Sequence, residues 1–226
     1  MVCCPLLFLA TSLTLQETTD HRQNERLRMS ETRKIIALTA PSGAGKTTIA
    51  RRVLATFPEM TFSVSATTRA RRPDEKHGLQ YYFVSEDAFR DLIASGALIE
   101  YQEVYPGRFY GTLRSEVEQK AATTPMLLDI DVEGTLKVKR LYSDDALTIF
   151  IQPPSLEVLA ERLRRRNTET ETSLRHRLER ARQELTYADR FDAIVVNDDL
   201  TQAVDETIRL VRQFLQPQMN VDRTGK

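Results

Sequence analysis

Lys34-Ile35-Ile36-Ala37-Leu38-Thr39-Ala40-Pro41-Ser42-Gly43-Ala44-Gly45-Lys46-Thr47-Thr48 is the stretch on which the reading of this chain turns. Ile35–Thr39 is a short apolar run without polar alternation, the pattern of a parallel strand buried on both faces. The loop Ala40–Thr47 follows, and TTIARRVLATF then reads as a helix that stops before Pro58. The loop has Walker A spacing with one departure, Ala40 where the first glycine stands. Gly43 and Gly45 let successive backbone N–H groups converge on a phosphate, and the helix N-terminus adds partial positive charge. In that geometry Lys46 reaches the β- and γ-phosphates and the Thr47 hydroxyl sits on Mg2+. The blander alternative is a glycine-rich turn capping a helix. Strand, loop and helix in immediate succession favour a nucleotide.

Outward from the loop, strands and helices alternate. Thr61–Ala66 is strand-like, Thr67–Gln80 is a loop bearing Arg, Pro and Gly, and Tyr81–Val84 is a further strand. Ser85 caps a helix Glu86–Ser95, Leu98–Val104 is a strand, and a helix near Leu113–Ala122 returns to the core. Met126–Ile130 and Leu147–Ile151 are buried strands separated by a helix after Gly134. Arg-rich helices are expected over about Leu156–Arg166 and Ser173–Ala188, a last strand at Ala193–Val196 and a closing amphipathic helix at Thr201–Leu215. Such alternation means an α/β fold around a parallel sheet. Asp129 ends an apolar run where a Walker B carboxylate would sit, serving Mg2+, substrate or a plain cap, and Asp131, on the same strand face two residues on, competes for each of these roles.

The whole chain has 226 residues, 32 basic and 32 acidic, with 41% apolar and 28% charged side chains. That is ordinary globular composition, long enough to bury roughly 70% of its extended surface. Zero net charge argues against field-driven nucleic-acid binding. Cys3 and Cys4, the only cysteines, form no disulfide framework or zinc set, which fits a reducing, cytoplasmic setting. His21, His77 and His176 are scattered and form no ligand motif. No apolar run is long enough to span a membrane. Pro5–Leu15 lacks the basic flank and cleavage site of a signal peptide, so residues 1–32 are expected to be a disordered extension, with Met29 a sensible true initiator.

Beyond the loop, the ordered set FSVSATTRARRP, G-x-x-Y-x-F (Gly78–Phe83), LIEY, FYGT, LLDIDVEG, PPS, R-x-x-x-R-x-T-E-T-E and VNDDL resembles the guanylate kinase family over about Lys34–Leu215. The family accepts Ala or Gly at the position of Ala40. The resemblance implies a three-layer P-loop fold with a parallel core sheet, a small α/β GMP-binding insert and a helical lid. On this sequence the core is 33–60, 116–155 and 190–216, the GMP-binding subdomain 61–115, the lid 156–189 and a flexible tail 217–226. The implied reaction is transfer of the γ-phosphate of ATP to GMP, and to dGMP with it, with Mg2+. Arg69, Arg72, Tyr81 and Tyr110 are implied to hold the GMP phosphate; Ser65, Glu100 and Thr112 read the base, and Asp129 lies near base and metal. Ala40, Pro41, Ser42, Gly43, Ala44, Gly45, Lys46 and Thr47 are implied to bind ATP, with Arg162 beside them and Asn197 either bordering the adenine or capping a helix. Lys46, Arg69, Arg166 and Arg177 are the implied catalytic cations, the last two from the lid.

The residue chemistry agrees with the resemblance. A carboxylate such as Glu100 accepts both N1–H and the amino hydrogens of guanine, whereas adenine has an unprotonated N1 there. An arginine fork matches two phosphate oxygens at once. Two other readings have to be weighed: a scaffolding domain that has lost catalysis, which would lack Lys46 or the phosphate arginines, and a kinase for a different phosphorylated acceptor, which would lack the base-reading set. Partners are therefore expected to be small molecules rather than nucleic acid or membrane, with a homo-oligomer left open.

Overall fold

The protein is described by a computed structural model covering residues 34–165 and 171–216. The N-terminal extension, Arg166 and the C-terminal tail lie outside the described residues. Five parallel strands, β1 (Ile35–Thr39), β2 (Thr61–Phe62), β7 (Met126–Asp129), β8 (Ala146–Gln152) and β9 (Ala193–Val196), form one sheet in the order β2-β7-β1-β8-β9. The order places β1 at the centre, hydrogen-bonded to β7 on one side and β8 on the other. All five of its residues are fully buried, as a continuous apolar run demands when both faces of a parallel sheet are covered.

Alternation along β1 divides the core in two. Ile36 and Leu38 face α1 (Lys46–Thr56) and α7 (Leu200–Leu215), packing with Ile49, Val53, Ala203 and Val211. Ile35 and Ala37 face the other way, onto Val117 and Ala121 of α3 (Arg114–Ala121) and Val138 of α4 (Val132–Tyr142). Each such fully buried aliphatic side chain contributes about 1.5–3 kcal/mol, so displacing β1 would cost more than the protein's whole margin of stability.

The expected strand Thr61–Ala66 is in fact two strands. Thr61–Phe62 joins the core sheet beside β7, and Ala66–Thr67 (β3) joins a second sheet, with Ser63–Ser65 crossing between them. One apolar run therefore serves two sheets, a break that a period-two pattern cannot register. The second sheet has the order β4-β3-β6-β5, where β4 is Tyr82–Phe83, β5 Leu98–Tyr105 and β6 Arg108–Leu113. Strand β6 was not read from the sequence. Its hairpin with β5 turns at Pro106-Gly107, where Gly107 has φ 71, a conformation that glycine takes without strain. Helix α2 (Glu86–Ala94) covers this sheet, starting at Ser85, whose side chain accepts from the Ala88 N–H as expected. Phe89 is fully buried beneath it and stacks on Phe109, ring centroids 5.3 Å apart.

Helix α4 begins before Gly134, not after it. Asp131 is its N-cap and accepts from the Gly134 N–H at 2.7 Å, so this carboxylate is a cap and not a twin of Asp129 on the strand. Helices α5 (Leu156–Arg164) and α6 (Glu171–Leu185) pack on one another through Leu159, Leu163, Leu174 and Ala181.

Phe89→Ala removes the centre of the small second core, which has few other large side chains. It is expected to destabilise the protein by about 3–5 kcal/mol, measured by urea unfolding, whereas Phe62→Ala at an exposed edge costs under about 1 kcal/mol.

Candidate functional site

Two cavities meet above the C-terminal ends of β1 and β7. The larger, about 630 Å³, is walled by the phosphate loop (Ala40–Gly43, Gly45–Thr48), by Asp129 and Asp131, and by Arg177, Arg180 and Glu184 of α6. The smaller, about 230 Å³, is walled by Ser65, Tyr81, Glu100, Gln102, Tyr110 and Gly111. Lys46, Ser65, Tyr81, Asp129 and Asp131 line both. A group bound in one therefore abuts a group bound in the other.

The loop owes its shape to two glycines. Gly43 and Gly45 have φ 98 and φ 102, where an L side chain is strained, and Gly45 is the residue that starts α1. A Cβ on Gly43 would also stand 2.8 Å from Leu163 Cδ2, so the first helix of the expected lid rests directly on the loop. Lys46 Nζ lies 2.5 Å from Asp129 Oδ1 and donates to the Ile130 carbonyl at 2.8 Å. The lysine is thus already held across the mouth of the loop by the strand-end carboxylate. Arg177 reaches from α6 to donate to Ser42 Oγ at 3.1 Å.

On the other side, the β5–β6 hairpin registers Glu100 opposite Thr112 and Gln102 opposite Tyr110, which puts Glu100, Gln102 and Tyr110 on the cavity wall with Thr112 buried behind Glu100. The Thr112 hydroxyl is fully buried and donates to Glu100 Oε1 at 2.6 Å. Burial pushes the Glu100 carboxyl up to about 7; the Thr112 hydrogen bond opposes the shift, and the Asp131 charge adds to it. The Tyr81 and Tyr110 rings meet edge to face at 5.8 Å, and the Arg69 guanidinium lies 5.4 Å over Tyr81.

Arg69 is paired within its own loop. Its Nη1 and Nη2 donate to the two oxygens of Glu75 at 3.0 and 2.7 Å, and the Arg72 backbone N–H donates to the same carboxylate at 2.9 Å. The Arg69 fork, with the Arg72 N–H behind it, holds the Glu75 carboxyl down to about 2. Glu75 was missed in the sequence, where the available signal was an acidic pair, Asp74-Glu75, in an otherwise basic loop. Nothing there chooses between the two. Gln102 and Glu184 were missed as well; both are polar residues whose facing depends on partners distant in the chain. Burial raises the Glu184 carboxyl, and Arg180 pairs with it at 2.8 Å.

The structure brings Lys46, Thr47, Ser65, Tyr81, Glu100, Tyr110, Asp129 and Arg177 to the cavity walls. Arg69 and Arg72 wall neither cavity: Arg69 lies over the Tyr81 ring, Arg72 is exposed, and Arg162 donates to the Asp198 carbonyl at 3.3 Å. Asn197 neither borders a cavity nor caps a helix. Asp199 is the N-cap of α7, and Asn197 is buried with Nδ2 donating to the Ala44 carbonyl at 2.7 Å. The capping role expected for it falls to Asp199, because β9 carries Asn197 beneath the loop before α7 begins.

Comparison with known proteins gives one consistent result. A family profile described as guanylate kinase matches residues 32–216. Guanylate kinase from Salinibacter ruber is 61% identical over 183 residues, 81% of this chain and 97% of that protein. Guanylate kinase from Chlorobium luteolum is 49% identical, covering 80% and 92%. A crystal structure of guanylate kinase from Anaplasma phagocytophilum superposes with a TM-score of 0.62 at 32% identity, covering 82% of this chain and 87% of that one.

Burial of Glu100 has a cost with a definite sign. Its folded value, about 7, lies above the ordinary 4.5, so the folded state binds more protons between those values and stability falls as pH rises through that window. Above pH 7 the ionised carboxylate costs on the order of 3 kcal/mol. Glu100→Gln is therefore expected to be more stable than the parent by about 1–3 kcal/mol at about pH 8 and to lose that advantage near pH 5, as read by urea unfolding at both.

Proposed function

The chain belongs to the guanylate kinase family, and from that premise we propose that it transfers the γ-phosphate of ATP to GMP, and to dGMP likewise, leaving ADP and the nucleoside diphosphate. The observation that carries this reading is the shared wall. A glycine loop shaped for a triphosphate and a pocket floored by a buried carboxylate open onto the same five residues, Lys46, Ser65, Tyr81, Asp129 and Asp131.

In the proposed mechanism the loop amides from Ala40 to Thr47 wrap the ATP phosphates, and Lys46 swings from Asp129 to the β- and γ-oxygens. GMP lies along the hairpin ladder. Glu100, ionised, accepts from N1–H and the 2-amino group, with the hydroxyls of Ser65 and Thr112 beside the base and Asp129 near it. Adenine would set an acceptor against this carboxylate, and a site built on substrate hydrogen bonds rejects such an analogue by about 10⁴ or more. Tyr81, Tyr110 and the arginines Arg69 and Arg72 hold the acceptor phosphate, with Glu75 aiming the guanidinium. Arg177 from α6, Arg162 from α5, and Arg166, outside the described residues, close over the transferring group and exclude water. Both substrates are anions, so rate comes from alignment and charge neutralisation, and no strong general base is required.

The donor set fits Mg2+. The Thr47 hydroxyl and the Asp129 carboxylate, hard oxygen donors on one wall of the larger cavity, would hold the ion beside the triphosphate. When bound with ATP, the ion supplies charge neutralisation across the β- and γ-phosphates. Among the described residues no helix is long and apolar enough to cross a membrane, and a cytoplasmic setting with ATP and GMP as partners belongs to the same proposal.

Lys46→Ala is expected to abolish turnover while GMP still binds with its affinity changed less than about threefold, measured by ADP release and by calorimetry. A near-normal rate in that variant contradicts the assignment of the loop. In a coupled ADP-release assay, GMP and dGMP are expected to turn over, whereas AMP, CMP and UMP stay at background. If no nucleoside monophosphate accelerates ADP release, the reading fails.

A further inference from the structure

Glu116 of α3 is a carboxylate that walls neither cavity, yet it is only 7% exposed. A helical glutamate ordinarily points to water. Here its oxygens are taken from three places. The Tyr82 hydroxyl of β4 donates to Oε2 at 3.0 Å. Oε1 faces the Val64 backbone N–H at 3.5 Å and accepts from Lys120, one turn further along α3. Burial of Tyr82, together with its bond to Glu116, pushes the phenol up, so it stays a donor.

The positions of these partners give the contact its meaning. Val64 is the middle residue of the crossing 63–65, where the chain leaves the core sheet for the second one. The Ser63 N–H goes back to the Leu127 carbonyl of β7 at 3.0 Å, and the Ser65 carbonyl goes forward to the Tyr82 N–H at 2.9 Å. The Val64 amide lies between the two ladders, and Glu116 supplies its acceptor. Helix α3 is itself rooted in the core, since Val117 and Ala121 pack against Ile35 and Ala37 of β1. At the other end of the tie, Ser65 and Tyr81, the latter next to Tyr82, line both cavities. A buried charge is an expensive way to join two elements, because an apolar pair of similar volume is often as stable or more so. Stability alone is therefore a poor account of Glu116.

We propose that Glu116 is a positioning residue for the acceptor nucleotide: it ties the crossing and β4 to α3, so that Ser65 and Tyr81 stand in place before GMP enters. The entropy of ordering that wall is then lost on folding and not again on binding. The inference rests on the ATP and GMP reading above and adds to it a residue that touches neither substrate. The partners of Glu116 lie on β4, the crossing and α3, none of which forms the phosphate loop, so the defect on removing it falls on the GMP side.

The test uses the full chain with Glu116→Leu, Tyr82→Phe, the two together, and Glu116→Gln. Wild-type ADP release with GMP comes first. If it is absent, the functional reading fails and takes this inference with it; if it is present, the variants judge the inference alone. KM for GMP is expected to rise about three- to tenfold in Glu116→Leu and about threefold in Tyr82→Phe, and the pair stays no higher than Glu116→Leu, since both changes cut one tie. KM for ATP stays within about twofold throughout. Glu116→Gln keeps the length and the hydrogen-bonding capacity to meet Tyr82 and Val64, so its KM for GMP stays within about twofold of wild type. Urea unfolding is expected to follow a different order. Each single change leaves a polar group facing an apolar one and lowers the midpoint, whereas the pair is apolar on both sides and regains part of the loss. A residue that only held the fold together would let KM for GMP recover with stability in the pair. That recovery overturns the proposal, as do a wild-type KM for GMP in either single variant, equal rises for ATP and GMP, or a Glu116→Gln that behaves as Glu116→Leu does. Should Glu116→Leu not fold, Tyr82→Phe set against Glu116→Gln decides.

Discussion

Everything in the cleft depends on a backbone constraint: the loop after β1 has to expose N–H groups on one side, with no side chain in the way. That requires two residues at positive φ, supplied by Gly43 and Gly45, and it requires the strand feeding the loop to be immobile. Strand β1 meets the second demand by being central and buried on both faces. The glycines then have a further use. Leu163 packs where a Gly43 side chain would be, and Asn197 where one on Gly45 would be, so the loop is held from the α5 side and from below by groups that any other residue would displace.

The cations of the site are held in place by carboxylates. Lys46 rests on Asp129, Arg69 on Glu75 and Arg180 on Glu184. Unpaired positive charges facing one another across a half-buried cleft would repel and raise the energy of the folded protein, whereas paired ones are kept oriented and can be handed to a phosphate that competes for them. The arrangement accounts for a cation-lined cleft in a chain with no net charge. Glu100 runs the other way. It is buried beside a hydroxyl instead of a cation, so it costs stability when ionised and would be relieved by the two donors that guanine brings. On the proposed reading, this carboxylate would select the base at a cost to the stability of the fold.

Much of this was legible along the chain. Strands β1 and β9 fall at the residues expected, and the Ser85 cap and the loop between β1 and α1 follow from patterns within about ten residues. The run Thr61–Ala66 was read as one strand because a period-two pattern carries no label for which sheet it joins. Strand β6 went unread because Arg108–Leu113 alternates weakly and owes its state to pairing with β5 and β3. Asp129 and Asp131 looked interchangeable at a spacing of two; the start of α4 turns one into a cap and leaves the other to Lys46.

By itself, then, the sequence determined the alternation of strands and helices, the phosphate loop and, through ordered motifs, the family. These are encoded in local periodicity and turn chemistry. Which side chain answers which was settled by tertiary structure alone. Lys46 finds the Ile130 carbonyl 84 residues away, and Asn197 finds that of Ala44 at a separation of 153. Such partners are set by strand order and by where β7 and β9 end beside the loop, and no local window of residues contains that information.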